Sequence, residues 1–229
     1  MNWTSECVAV VPCLNEARAI GALVQGIKQF LPNVIVIDDG STDATSDQAR
    51  AAGAEVLRHE TPRGKGNSLR AGWELARQRG FKWAIALDGD GQHAPEEISK
   101  FLDRAERGDA SLIIGDRMSQ SHAMPAVRRF VNRWMSRKLS RVAKQSFPDS
   151  QCGFRLVKLD SLARIPLHAT HFEIESEQLL AFAAARESIA FVPIRVIYRM
   201  ERSKINPWRD TVRWFQWLRN WQAASSRRE

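Results

Sequence analysis

Long apolar runs are missing from this 229-residue sequence, and nothing approaches the roughly 18 consecutive apolar residues that a bilayer-crossing helix needs. No membrane span is therefore predicted. Cysteine is scarce: Cys7, Cys13 and Cys152 are too few and too scattered for a disulfide scaffold, match no zinc spacing, and suit a reducing compartment. Met1 to Glu6 lacks a basic start followed by an apolar run, so no signal peptide is predicted and a cytoplasmic protein is expected. Internal repeats, low-complexity tracts and Gly/Ser linkers are absent as well. With 44% hydrophobic and 26% charged residues, the composition excludes disordered, collagen-like and mucin-like classes.

What is present in excess is positive charge, and it is localised. The net charge is +8, yet residues 116–155 alone carry +7 and residues 199–229 carry +5, leaving −4 for the rest. Two basic segments on a mildly acidic remainder point to an anionic partner: phosphate, nucleic acid or an anionic membrane surface.

Residues 1–115 alternate between β-branched runs and helical periodicity. Strands are predicted at Val8–Val11, Val34–Ile37, Ala54–Leu57, Trp83–Leu87 and Ser111–Gly115. Helices are predicted over about 20–27, 44–52 and 66–79, and from Pro95-Glu96-Glu97 onward. Such alternation reads as an α/β protein with a mostly parallel sheet covered on both faces. Beyond 115 the pattern predicts a basic helix at 126–145, a strand at Phe154–Lys158 and a helix near 173–185. Strands at Ile189–Val192 and Arg195–Tyr198 and a final helix at 207–222 complete it. One domain over 1–198 is expected, its second half from 116 completing the site of its first, followed by a basic, Trp-rich segment at 199–229.

In open α/β sheets, ligands bind outside the carboxyl ends of the strands. Three predicted strand ends carry polar clusters: Pro12-Cys13-Leu14-Asn15-Glu16, Asp38-Asp39-Gly40-Ser41-Thr42-Asp43 and Asp88-Gly89-Asp90-Gly91-Gln92-His93. Acidic ends on a basic chain look like a metal and nucleotide site. Asp88 and Asp90, one residue apart, suit a hard cation such as Mg2+ or Mn2+ that keeps water and substrate phosphates as its other ligands. An EF-hand is excluded, because loop positions six and twelve are His93 and Ser99. Gly64-Lys65-Gly66 lacks the flanking residues of a Walker loop, and no Gly-x-Gly-x-x-Gly follows the first strand. His93 is open to two readings, metal ligand or hydrogen-bonded structural residue.

Together with Gly64-Lys65-Gly66-Asn67, these clusters resemble the family 2 glycosyltransferases. Gly115-Asp116-Arg117-Met118, Asp149-x-x-Cys152-Gly153-Phe154-Arg155 and Ser203-Lys204-Ile205 resemble the branch typified by dolichol- and polyprenyl-phosphate mannosyltransferases. The resemblance implies a GT-A fold, a GDP- or UDP-sugar donor, a divalent cation and a lipid-phosphate acceptor. On that likeness Pro12, Leu14, Glu16, Ser41 and Gly89 line the nucleotide-sugar pocket. Asp38 or Asp39 bonds the base or ribose, and Lys65 approaches the nucleotide. Asp88, Asp90 and Gln92 hold the metal; Asp88, Asp90 and Arg117 form the catalytic set. Arg117, Arg128, Arg202, Ser203 and Lys204 match acceptor-phosphate positions. Cys152 departs from the commoner Ser or Thr, and Arg199-Met200-Glu201-Arg202 departs from a Gly-Glu form.

A phosphate acceptor is already an anionic nucleophile and needs positioning cations. A saccharide or glycolipid hydroxyl acceptor would need a carboxylate base, for which Asp149, Glu175 and Glu177 are candidates. The basic helix at 126–145 reads either as a membrane-surface helix or as a helix whose apolar stripe packs on the sheet. In the tail, Trp214, Phe215, Trp217, Leu218 and Trp221 share a face. That face is expected on an anionic membrane at its inner side, with core packing or a dimer contact as alternatives. From other classes, a nucleic-acid-binding protein fits the basic charge but leaves the acidic strand ends without a role, so no nucleic-acid partner is expected. A nucleotide-binding scaffold without catalysis is opposed by the intact Asp88 and Asp90.

Overall fold

A computed structural model describes residues 1–119, 124–195, 197 and 207–225, the last segment with side chains from 211 to 224. Its centre is a seven-stranded sheet. The strands are β1 (Cys7–Cys13), β2 (Val34–Asp38), β3 (Glu55–Arg58), β4 (Trp83–Ala86), β5 (Leu112–Asp116), β6 (Arg155–Lys158) and β7 (Ile189–Pro193). Their order is β3-β2-β1-β4-β6-β5-β7. Every pairing is parallel except those of β6, which runs against both β4 and β5. Every residue of β1, β2 and β4 is buried, as continuous apolar strands require when helices cover both faces.

The helices are α1 (Trp3–Glu6), α2 (Ile20–Lys28), α3 (Thr45–Ala51), α4 (Lys65–Gln78), α5 (Ile98–Glu106), α6 (Ala126–Ala143), α7 (Leu159–Ala163), α8 (Glu173–Ala184) and α9 (Pro207–Ser225). In α2 the periodic Ile20, Leu23, Val24 and Ile27 are the residues that bury, so periodicity alone places this helix. Pro95 opens a 3-10 turn at Pro95–Glu97 that leads into α5. Two short helices, α1 and α7, have too few turns to show a period in the sequence. The strand expected at Arg195–Tyr198 is not seen at Arg195 or Ile197; Val196 and Tyr198 lie outside the described residues. Ile197 is held by its N–H on Gln92 O at 2.9 Å, and Arg195 pairs with Glu97 at 3.0 Å.

Helix α9 corrects the expectation of a membrane-facing Trp face, and α6 departs from the reading in which its apolar stripe packs on the sheet. Trp214 is 3% exposed and Leu218 is 7% exposed, while Trp217 and Trp221 pack partly buried against the core. The Trp214 indole N–H donates to Ser176 Oγ of α8 at 2.9 Å. The Trp face of α9 is thus a core face: burying several indoles against α8 gains more than leaving them at a headgroup layer, once the N–H of Trp214 has a partner. Helix α6 is inverted. Its buried residues are Asn132, Ser136 and Leu139. Its stripe of Val127, Phe130 and Val131 is exposed, Phe130 by 71% and Val127 by 77%. Among the described residues no helix is long and apolar enough to cross a membrane.

Candidate active site

The loops after β1 and β2 are stitched into one rim. Asp39 N–H donates to Cys13 O at 2.9 Å. Asn15, in the left-handed region at φ 53°, donates its N–H to Ser41 Oγ at 2.8 Å and accepts from Thr42 N–H at 2.8 Å. Glu16 N–H donates to Thr45 Oγ1 at 2.8 Å. Pro12 and Ser41 are buried in this rim, with Leu14 and Glu16 half-buried at its lip. Asp38 is fully buried and spends its carboxylate on Ser41 N–H at 2.8 Å and on the Ser46 hydroxyl, so it shapes the loop from inside. Asp39 accepts from Arg63 N–H at 2.9 Å and Gly64 N–H at 2.8 Å, and meets His59 Nδ1 at 2.7 Å. It therefore fixes the loop that carries Lys65.

That loop explains the Gly-Lys-Gly sequence. Gly64 has φ 93°, and Gly66 N–H donates to Thr170 O at 2.9 Å. A Cβ on Gly64 would meet Thr170 O at 2.4 Å, and one on Gly66 would meet Ala169 O at 2.3 Å. Only glycines let the start of α4 lie on the 169–171 backbone. The docking drives the Lys65 ammonium between two carboxylates, 2.5 Å from Asp88 Oδ1 and 2.6 Å from Glu175 Oε1. Gly153 closes the third side: a Cβ there would stand 2.9 Å from both Lys65 Nζ and Asp88 Oδ1. Burial alone would push the Lys65 pKa down, but Asp88 and Glu175 more than offset it and the group is held charged. Burial likewise opposes the Asp88 charge, yet Lys65, with His93 and Arg117 adding to it, brings its pKa down to about 2.

Asp90 lies two residues on and accepts from Gln92 N–H at 3.0 Å. Buried Gly89 abuts Cys13, which keeps the Asp88–Asp90 turn against the β1 loop. His93 is buried and its Nδ1 accepts from Asp88 N–H at 3.1 Å, which supports the structural reading of this histidine. Among the described residues no three His, Cys, Asp or Glu side chains gather as a metal cage. Two half-buried carboxylates at one turn suit an octahedral cation that takes its remaining oxygens from phosphates and water. The donor set therefore fits Mg2+ or Mn2+, with Asp88, Asp90 and Gln92 as the residues to hold it.

The second half supplies cations held by distant carboxylates. Arg117, at the end of β5, makes a two-pronged pair with Asp149: Nε to Oδ2 at 2.7 Å and Nη2 to Oδ1 at 2.9 Å. Asp149 is fully buried and also accepts from Asn132 Nδ2 of α6 at 3.0 Å and from Gln151 N–H at 3.1 Å. Burial pushes its pKa up, and Arg117 with these hydrogen bonds brings it below the usual carboxylate range. Arg128 is half-buried one helical turn before Asn132, on the same side of α6. Arg202, Ser203 and Lys204 lie outside the described residues. Glu177 accepts the N–H groups of His168 at 2.8 Å and Ala169 at 2.7 Å, which makes it a loop holder. Buried Arg155 donates to Cys152 O at 2.7 Å, Ser150 O at 2.9 Å and Glu175 O at 2.6 Å, tying the 149–153 loop to α8.

Lys65–Glu175 and Asn132–Asp149 were not paired in the sequence reading. Their one signal is compositional: Asn132 and Ser136 are polar residues four apart on a helix that elsewhere alternates arginine with apolar residues.

The comparisons with known proteins agree with this layout. Residues 8–166 match the family model described as Glycosyl transferase family 2. The glycosyltransferase AglJ of Haloferax volcanii is 32% identical, over 90% of this chain and 69% of that one. The undecaprenyl-phosphate mannosyltransferase of Micrococcus luteus is 29% identical, over 84% of both chains. Among solved structures, glucosyl-3-phosphoglycerate synthase from Mycobacterium tuberculosis in complex with uridine diphosphate superposes with a TM-score of 0.70. It is 23% identical and covers 87% of this chain and 74% of its own, a likeness that shows the GT-A fold. The rim of acidic strand ends, the fold and the sequence likeness converge: the chain is a glycosyltransferase and belongs to glycosyl transferase family 2.

Proposed function

We propose that the protein transfers a sugar, with inversion, from a GDP- or UDP-sugar to a polyprenyl phosphate or another lipid-linked phosphate. The observation that carries this reading is the state of the carboxylates. Asp149 is spent on Arg117, Glu177 on two backbone N–H groups and Glu175 on Lys65. A hydroxyl acceptor needs a base to take its proton, and the three carboxylates suited to that task are committed elsewhere. A phosphate oxygen needs none. It attacks the anomeric carbon from the side opposite the diphosphate, the bond from that carbon to the diphosphate oxygen breaks, and its electron pair leaves with the diphosphate.

The rim residues Pro12, Leu14, Glu16, Asp39, Ser41 and Gly89 would line the nucleotide. A bound Mg2+ or Mn2+ on Asp88, Asp90 and Gln92 would neutralise the leaving diphosphate. Arg117, fixed by Asp149, and Arg128 would hold the acceptor phosphate in line. The test is incubation with Mn2+ and a panel of GDP- and UDP-sugars, with and without polyprenyl phosphate. Nucleoside diphosphate release that rises with the lipid phosphate is expected. Release that responds only to saccharides would move the reading to a hydroxyl acceptor.

A lipid acceptor implies work at an anionic membrane surface, at its cytoplasmic face. Helix α6 supports this, since it carries six arginines and lysines, no acid, and an exposed apolar stripe. Its stripe continues through Trp134 onto exposed Phe215 of α9, ring centroids 5.3 Å apart. Apolar residues flanked by arginines suit the boundary between headgroups and acyl chains. Sedimentation with anionic vesicles, comparing the intact protein with Phe130→Ser, tests the placement; equal binding by both removes α6 from it.

A further inference from the structure

The Gly-Lys-Gly loop does more than bring a lysine near the nucleotide. It seats the ammonium of Lys65 on Asp88, the carboxylate that the proposed chemistry assigns to a divalent cation. The seat is rigid. Glycines 64 and 66 lock the loop to the 169–171 backbone, Arg155 clamps the backbone of Glu175, and Gly153 leaves room for nothing larger than the ion pair. Lys65 Nζ also lies 5.6 Å from the centre of the Phe172 ring, which walls it from solvent.

We propose that Lys65 occupies the place of the divalent cation on Asp88 in the free enzyme, so that cation and donor diphosphate enter the site only together. The inference rests on the functional reading above. A doubly charged ion brought to Asp88 and Asp90 would stand beside a fixed ammonium and share one of its two carboxylates with it. Two like charges held on one carboxylate repel. A diphosphate changes the balance by supplying oxygens for both cations. The ammonium then lets go of Asp88, stays tethered by Glu175, and turns to the diphosphate. Glu175 is in this account a positioning residue: it keeps the lysine within reach when Asp88 is taken. Two ligands that relieve the same repulsion must strengthen one another by the same factor.

The test needs no turnover. Mn2+ binding to the full chain is followed by electron paramagnetic resonance, alone and with saturating GDP or UDP, for the intact protein, Lys65→Met and Lys65→Arg. In the intact protein Mn2+ is expected to bind weakly alone and about tenfold or more tighter with the right nucleotide. In Lys65→Met it should bind about tenfold tighter without nucleotide, with most of the coupling gone. Lys65→Arg should keep the coupling. Unchanged or weaker Mn2+ binding in Lys65→Met overturns the proposal, because removing an ammonium that competes for Asp88 has to raise metal affinity. Should that variant misfold around an unpaired Glu175, the double variant Lys65→Met with Glu175→Gln leaves the net charge of the pocket as it was and answers the same question. If neither GDP nor UDP binds the intact protein with Mn2+, the functional reading itself fails. Normal coupling in the intact protein with no change in the variants sinks the Lys65 placeholder alone.

Discussion

The rim of strand-end loops and the second half of the chain hold charge at the candidate site in different ways. Two acids of the rim organise their own turns, Asp38 bonding Ser41 three residues on and Asp90 bonding Gln92 two residues on, whereas Asp39 and Lys65 reach residues further along the chain. In the second half Arg117 is fixed from far away, by Asp149 thirty-two residues on, while the polar face of α6 turns inward to help. A site built from local turns tolerates loss of one acid without loss of fold. A site built from long-range pairs does not.

The largest effect is therefore expected from Asp149→Ala, which leaves Arg117 without its counter-ion and should cost about 3–5 kcal/mol of stability. Urea unfolding reads it, and a cost under about 1 kcal/mol would place the second half on the same footing as the rim. Trp214→Ala should cost about as much, roughly 3–5 kcal/mol, because the indole is a core group; Phe130→Ser should leave the unfolding midpoint unmoved. The rim contrasts with both. Asp90→Asn should lower kcat/KM by about 10²–10³-fold at an unchanged unfolding midpoint. Arg128→Ala should raise the KM for polyprenyl phosphate about tenfold and leave donor affinity alone. A loss of donor affinity instead would assign Arg128 to the diphosphate.

The smallest effect is in pH. The pKa values of Asp88 and Asp149 are both depressed on folding, so their contribution is complete above the ordinary value near 3.8 and is lost as pH falls towards the folded values, about 2 for Asp88. Stability should be flat with respect to these two groups from pH 5 upward and fall steeply below pH 4. Asp88→Asn should flatten that acid slope, as followed by circular dichroism.

The same contrast governs what the sequence disclosed. Apart from the single-turn α1, the strands and helices of the first half were readable because each carries its own period, as in α2, or its own β-branched run, as in β2. The acidic turns were readable because they follow those strands directly. The destination of the Trp face was not, since an amphipathic stripe has the same spacing whether α8 or a lipid layer covers it. The buried orientation of Asn132 and Ser136 depends on Asp149 arriving from another element. The antiparallel setting of β6 was equally hidden, because a strand as short as Arg-Leu-Val-Lys fits either direction.

That reversed strand has a consequence for how such a molecule can diversify. Because β6 runs against β4 and β5, its beginning reaches the carboxyl edge, and the Asp149–Gly153 loop arrives beside Asp88 from the far side of the sheet. One short loop thus serves both sides of the site, with Gly153 against Lys65 and Asp88 and Asp149 on Arg117, so exchanges there are constrained from two directions, as a keystone is by both halves of its arch.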